Sequence, residues 1–117
     1  MFNNNLKTAI VTGGTGGVGK ELAKMFLKNN FNVIITGRNK NNVEKIKKYI
    51  NLNNKNNNNS IVKGYKLDYI DIINSEEFIN LLENKKIKPS YLVNNAGTLQ
   101  LDSIYDITLK KWMFYLK

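Results

Sequence analysis

Hydrophobic and polar positions along this chain alternate between two spacings. Thr8-Ala9-Ile10-Val11-Thr12, Asn32-Val33-Ile34-Ile35-Thr36 and Tyr91-Leu92-Val93-Asn94 are short apolar runs rich in β-branched residues, the pattern of strands buried on both faces of a parallel sheet. Ile61 to Leu67 is a fourth, less uniformly apolar strand. Between the strands the apolar residues recur at helical intervals: Val18, Leu22, Met25 and Phe26, then Val43, Ile46 and Ile50, then Phe78, Leu81 and Leu82. A last helical pattern, Leu109, Trp112, Met113 and Leu116, follows the N-cap candidate Thr108. Strand and helix in strict alternation predict right-handed βαβ crossovers and an α/β fold, with about four strands and four helices.

The polar run Asn53 to Asn59 breaks this scheme. A tract without apolar periodicity cannot offset its ordering entropy by burial, so residues 53–59 are expected to form a solvated loop. With 117 residues, the rest accounts for one domain at most. Cysteine and histidine are absent, which removes disulfides and the usual zinc ligands, and no metal site is expected. A reducing, cytoplasmic setting is expected. The segment Met1 to Asn5 lacks the form of a secretory signal, and no apolar run is long enough to span a bilayer. The formal charge of +9 raises the question of nucleic acid, but the lysines are spread along the chain among abundant Asn, Ile and Tyr, as a general compositional bias would spread them. No nucleic-acid partner is expected, although the positive field favours an anionic ligand.

The candidate chemistry lies where the first strand meets the first helix, at Thr12-Gly13-Gly14-Thr15-Gly16-Gly17-Val18-Gly19. Such a turn needs positive φ angles, and a pyrophosphate reaches a helix N-terminus only where no Cβ intervenes. Three readings compete. A structural bend can also collect glycines. Gly14 to Gly19 followed by Lys20 matches the core of a nucleoside-triphosphate loop, yet that motif needs a magnesium-binding hydroxyl next, and Glu21 stands there. The third is a dinucleotide turn.

Thr12-Gly13-x-x-x-Gly17-x-Gly19, taken with Asn94-Asn95-Ala96-Gly97 after the fourth strand, resembles the classical short-chain dehydrogenase/reductase family. The glycines also fit the spacing of its extended branch, while Asn-Asn-Ala-Gly is similar to the classical one. The likeness extends from Lys7 to Lys117 and implies a Rossmann-type doubly wound sheet, incomplete here, as a single dinucleotide-binding domain over residues 1–117. By resemblance, Gly13, Gly17, Val18 and Gly19 surround the cofactor pyrophosphate and Thr12 fixes the turn. Gly19 also allows close packing of helix on sheet. Asp68 and Tyr69 match the adenine-contacting position, and Asn95, Ala96 and Gly97 line the cofactor ribose.

At the end of the second strand, Thr36-Gly37-Arg38 offers an arginine and no acid. An acid there favours the 2′-hydroxyl of NAD, whereas an arginine accepts the 2′-phosphate of NADP, so NADP(H) is the expected cofactor and NAD the lesser alternative. Gly16 occupies the place where NADP-preferring members often carry a second basic residue. The family moves hydride to or from a carbonyl or alcohol, using a serine, a tyrosine and a lysine four residues after the tyrosine, whose charge lowers the phenol pKa from about 10. None of Tyr49, Tyr65, Tyr69, Tyr91 and Tyr105 has that lysine, and Tyr115 stands too near Lys117. No catalytic residue is therefore assigned, and the reading is that of the cofactor-binding half of an oxidoreductase, or alternatively a non-catalytic dinucleotide-binding module. A complete relative is expected to be a homo-oligomer. The 117-residue chain is expected to self-associate through an apolar edge at Tyr91 to Asn94.

Overall fold

The computed structural model describes residues 2–54, 59–68, 70–97 and 108–110. Seven elements follow one another: β1 (Thr8–Val11), α1 (Gly17–Lys28), β2 (Asn32–Gly37), α2 (Lys40–Leu52), β3 (Val62–Lys66), α3 (Ile72–Asn84) and β4 (Tyr91–Val93). The four strands are parallel and pair in the order β3-β2-β1-β4. This is the expected α/β fold, a truncated doubly wound sheet. Of the helix expected behind Thr108, only Leu109 and Lys110 are described, both helical; Trp112, Met113 and Leu116 lie outside the described residues. The same holds for positions 55–58 of the Asn-rich tract.

Alternation along the strands divides the core. Val11, Val33, Ile35 and Val62 face one way and pack with Ala23 and Leu27 of α1 and Val43 and Ile50 of α2. Ile10 and Ile34 face the other way and pack with Leu67, Phe78 and Leu82, the last two from α3. Helices α1 and α2 thus share one face of the sheet and α3 covers the opposite one, as a double winding requires. Among the described residues β4 forms one edge of the sheet and β3 the other, and Tyr91 and Leu92 of β4 are exposed.

The helical spacing is right for α2 and α3 but one step out for α1. Val18 and Met25 are exposed, and the buried residues are Gly19, Ala23 and Leu27, with Leu22 and Phe26 half-buried. Small residues face inward because this helix starts directly on the turn, where no bulky side chain fits. Several asparagines that look like compositional noise satisfy backbone groups. Asn51 Nδ2 donates to the Val62 carbonyl at 2.9 Å while its Oδ1 accepts from Val62 N–H at 2.9 Å, fixing the register of α2 on β3. Asn39 caps α2 by accepting from Asn42 N–H, and Asp71 caps α3 by accepting from Asn74 N–H.

Candidate functional site

A parallel sheet of order 3-2-1-4 has its switch point between β1 and β4, where successive crossovers leave in opposite directions. Ligands of such sheets bind outside the carboxyl ends of the strands at that point. The residues singled out in sequence gather there. Thr12, buried just past the end of β1, is the hub. Its backbone N–H and its hydroxyl both donate to the Val93 carbonyl at 3.1 Å. The same hydroxyl accepts from the backbone N–H groups of Asn95 at 3.0 Å and Ala96 at 3.1 Å. One donor and two acceptor sites are all a hydroxyl offers, and all are used. The glycine turn and the Asn95-Ala96-Gly97 segment, whose Asn95 stands 83 positions after Thr12 in sequence, are thereby held as one unit.

The turn is shaped from both sides. Gly13 has φ +66°, and a Cβ there would come within 2.8 Å of Ala96 Cα, so both conformation and space demand glycine. Asn95 Nδ2 donates to the Gly13 carbonyl at 3.2 Å. Gly19 is needed for a reason that sequence spacing missed: its Cβ would strike the Gly13 carbonyl oxygen and approach Asn95 Nδ2 to 2.7 Å. Its close approach is to the turn itself.

Gly14, which in sequence has a role only as the start of a triphosphate-loop match, donates its N–H to the Thr36 carbonyl at 3.0 Å, and a Cβ on it would overlap Ile35. Thr15, also missed, lies over the end of β2, where a Cβ on Gly37 would come within 3.2 Å of Thr15 Cγ2. The turn therefore borders the residue that precedes Arg38.

Gly17 and Val18 open α1, Val18 being exposed. The N-cap is Gly16, with φ −82° and ψ 171° and no side-chain cap hydrogen bond, and the first turn holds no acid. Among the described residues, a Cβ added to Gly17 or Gly97 would meet nothing within 4 Å. The helix thus begins beside the switch point with the positive end of its dipole uncapped by any side chain.

Arg38 and Asp68 stand at neighbouring strand ends. The Leu67 N–H donates to the Gly37 carbonyl at 2.9 Å, and Gly37 is in register with Lys66. Asp68 Oδ1 accepts from Ile70 N–H at 3.1 Å, and its own N–H donates to Asn74 Oδ1 at 2.8 Å. Asn74 was not foreseen, although Asp71-x-x-Asn74 carries the spacing of an N-cap and its N3 residue. Tyr69 lies outside the described residues. Among the described residues no group of acidic residues is placed to hold a metal, and no helix is long and apolar enough to cross a membrane.

Residues 7–117 match the sequence profile of the short chain dehydrogenase family. The chain is 34% identical over 121 residues to the 3-oxoacyl-(acyl-carrier-protein) reductase FabG of Rickettsia felis, covering 94% of this chain and 45% of that protein. It is 31% identical over 106 residues to the NADP-dependent (R)-specific alcohol dehydrogenase of Lentilactobacillus kefiri, covering 91% of this chain and 40% of that protein. In structure it is similar to a short chain dehydrogenase from Bacillus anthracis, with TM-score 0.79 and 26% identity over 94% of this chain and 44% of that one. An actinorhodin polyketide ketoreductase solved with NADPH shares the fold at TM-score 0.84 and 21% identity, over 98% of this chain and 42% of that one. The chain spans less than half the length of these relatives.

Proposed function

This chain belongs to the short-chain dehydrogenase family, of which it represents the amino-terminal portion, and from that premise we propose that it is the NADP(H)-binding part of an oxidoreductase acting on a carbonyl or alcohol. The observation that carries this reading is the Thr12 hub. It ties an open, uncapped helix N-terminus to the Asn95-Ala96-Gly97 segment at the switch point of the sheet. The residues present suit a dinucleotide. Room above Gly17 and Gly97, the backbone N–H groups that begin α1 and the absence of acid in its first turn are what a pyrophosphate needs.

In this reading Gly13, Gly17, Val18 and Gly19 surround the pyrophosphate, and Asn95, Ala96 and Gly97 border the ribose next to the nicotinamide. Asp68 and Tyr69 contact the adenine; a carboxylate that already accepts from Ile70 N–H still has capacity for an adenine amino group. Arg38, directly after the last residue of β2, takes the 2′-phosphate. Its planar fork suits a phosphate better than a lysine would. The NADP-dependent relative and the NADPH-bound ketoreductase support this choice. The bound nicotinamide would supply or accept hydride; the described residues bind and orient it. No tyrosine in the chain is followed four residues later by lysine, so the proton-transfer step is not assigned to any of these residues. A cysteine-free chain suits the reducing cytoplasm in which this reading sets it.

Parallel titrations of the 117-residue chain with NADPH and NADH test the proposal. NADPH is expected to bind at least about tenfold more tightly, and Arg38→Ala to remove most of that difference. Equal affinity for the two cofactors overturns the role of Arg38, and no binding of either overturns the whole reading.

A further inference from the structure

Helix α3 carries two apolar stripes, and the core accounts for only one. Phe78 and Leu82 turn inward. Ile72 and Ile79 are exposed to 72% and 52%, and with Ser75, Glu76 and Asn80 they line a shallow outward groove. Ile70 and Ile73 extend the apolar surface at its upper end. An amphipathic helix covering a sheet needs a single apolar face, and its outer one is ordinarily polar. Isoleucines exposed together in this way mark a contact surface.

The charge on this surface has the opposite sign to that of the chain. Against a formal net charge of +9, α3 holds Glu76, Glu77 and Glu83 and no lysine or arginine, with Asp71 at its N-cap. Lys85 and Lys86 follow beyond its C-terminus and bound the acidic stretch. On the far side of the sheet, α1 and α2 together carry seven lysines and only two glutamates. Each of those glutamates is engaged within its own helix, Glu21 with Lys24 at 3.4 Å and Glu44 with Lys47 at 2.6 Å. Exposed Met25, Tyr49 and Leu52 lie among these lysines, and Lys20 Nζ stands 5.5 Å from the centre of the Tyr49 ring. Among the described residues, the outer face of α3 is acidic and isoleucine-rich, and that of α1 and α2 is basic and also supplied with apolar side chains.

We propose that the outer face of α3 docks a second copy of this chain through that copy's α1 and α2 face. Glutamates meet lysines around a centre of apolar contact, the arrangement that gives an interface its direction and its rate of formation. The two surfaces lie on opposite sides of the sheet, so the contact is heterologous. Each added copy leaves one acidic and one basic face free, and the assembly grows head to tail without closing at a dimer.

Sedimentation of the 117-residue chain over a range of concentrations and salt tests this. The average mass is expected to rise past that of a dimer at low salt and to fall as salt screens the charges. Glu76→Lys with Glu77→Lys, Lys45→Glu with Lys48→Glu, and Ile79→Ser are each expected to weaken self-association at least about tenfold, while far-UV circular dichroism stays unchanged. Mixing the two charge-reversed chains is expected to restore association, since each retains the surface the other lacks. Leu92→Lys, on the open edge of β4, is expected to leave association intact. A monomer at every salt concentration, growth that stops at a dimer, or association abolished by Leu92→Lys and untouched by Ile79→Ser overturns the proposal; the last result assigns self-association to edge pairing of β4.

Discussion

Helices α1, α2 and α3 begin in two different ways. α2 and α3 start behind Asn39 and Asp71, whose side chains accept from the N–H three residues on. This is the ordinary way for a helix to satisfy its first donors. α1 starts behind Gly16 with no such bond, and its first turn is Gly17-Val18-Gly19. The capped helices begin away from the switch point; the uncapped one begins on it. The difference teaches what the glycines are for. Gly13 and Gly19 keep the turn and the Asn95 segment in contact, whereas Gly17 leaves space. Two requirements, assembly and access, are written in the same residue type.

Substitutions separate the two. The largest effect is expected from Gly19→Ala, whose Cβ strikes the Gly13 carbonyl and crowds Asn95. Overpacking of this kind costs about 1–3 kcal/mol; chemical denaturation should show the loss, with cofactor affinity falling as well. Thr12→Val leaves the Ala96 N–H without the acceptor it uses, while the Asn95 N–H keeps only the Val93 carbonyl at 3.0 Å. About 1–3 kcal/mol is expected from that, again seen in denaturation midpoints.

Asp71→Ala removes the α3 cap and is expected to cost about 1 kcal/mol, while affinity for NADPH stays unchanged in a titration. Gly17→Ala reverses that outcome. With open space around its Cβ and a better helix former in place, stability is expected to rise by up to about 1 kcal/mol, while NADPH binding is lost. If Gly17→Ala binds NADPH normally, the distinction between assembling and admitting glycines collapses.

The smallest effect concerns a charge away from all three helix starts and so sets a baseline. Burial, and then the nearby Lys85, hold the Lys63 ammonium below its ordinary pKa of 10.5. In the window between its folded pKa and 10.5, the unfolded chain binds more protons, so stability rises with pH. Lys63→Met is therefore expected to be more stable relative to the parent at neutral pH than near the top of that window, as thermal melts across alkaline pH would show.

Much of this was legible in the chain itself. Apolar runs placed all four strands to within about a residue at most ends. For β1 and β2 the reason is that a strand buried on both faces has little choice of composition, whereas β4, which reads the same way, leaves Tyr91 and Leu92 exposed. The stripes of α2 and α3 were equally plain. That of α1 was not: Val18 and Met25 look like core by spacing, yet the turn forces Gly19 and Ala23 inward. The asparagines misled in a similar way. Asn51, Asn74 and Asn95 make specific backbone bonds, but an asparagine that caps and one that is merely abundant carry the same letter.

The sequence by itself determined the alternation of strand and helix, the glycine turn, the asparagine-alanine-glycine segment and Arg38 after β2, since local spacing and composition suffice for each. Tertiary structure alone decided that Thr12 would join the first two, that Gly14 would need Ile35 as its neighbour, and that α3 would stand apart from α1 and α2 with charge of the opposite sign. The reason is physical. A hydroxyl, a missing Cβ or a surface carboxylate acquires its role from what the sheet order brings beside it, and that order is set by pairing across the whole chain.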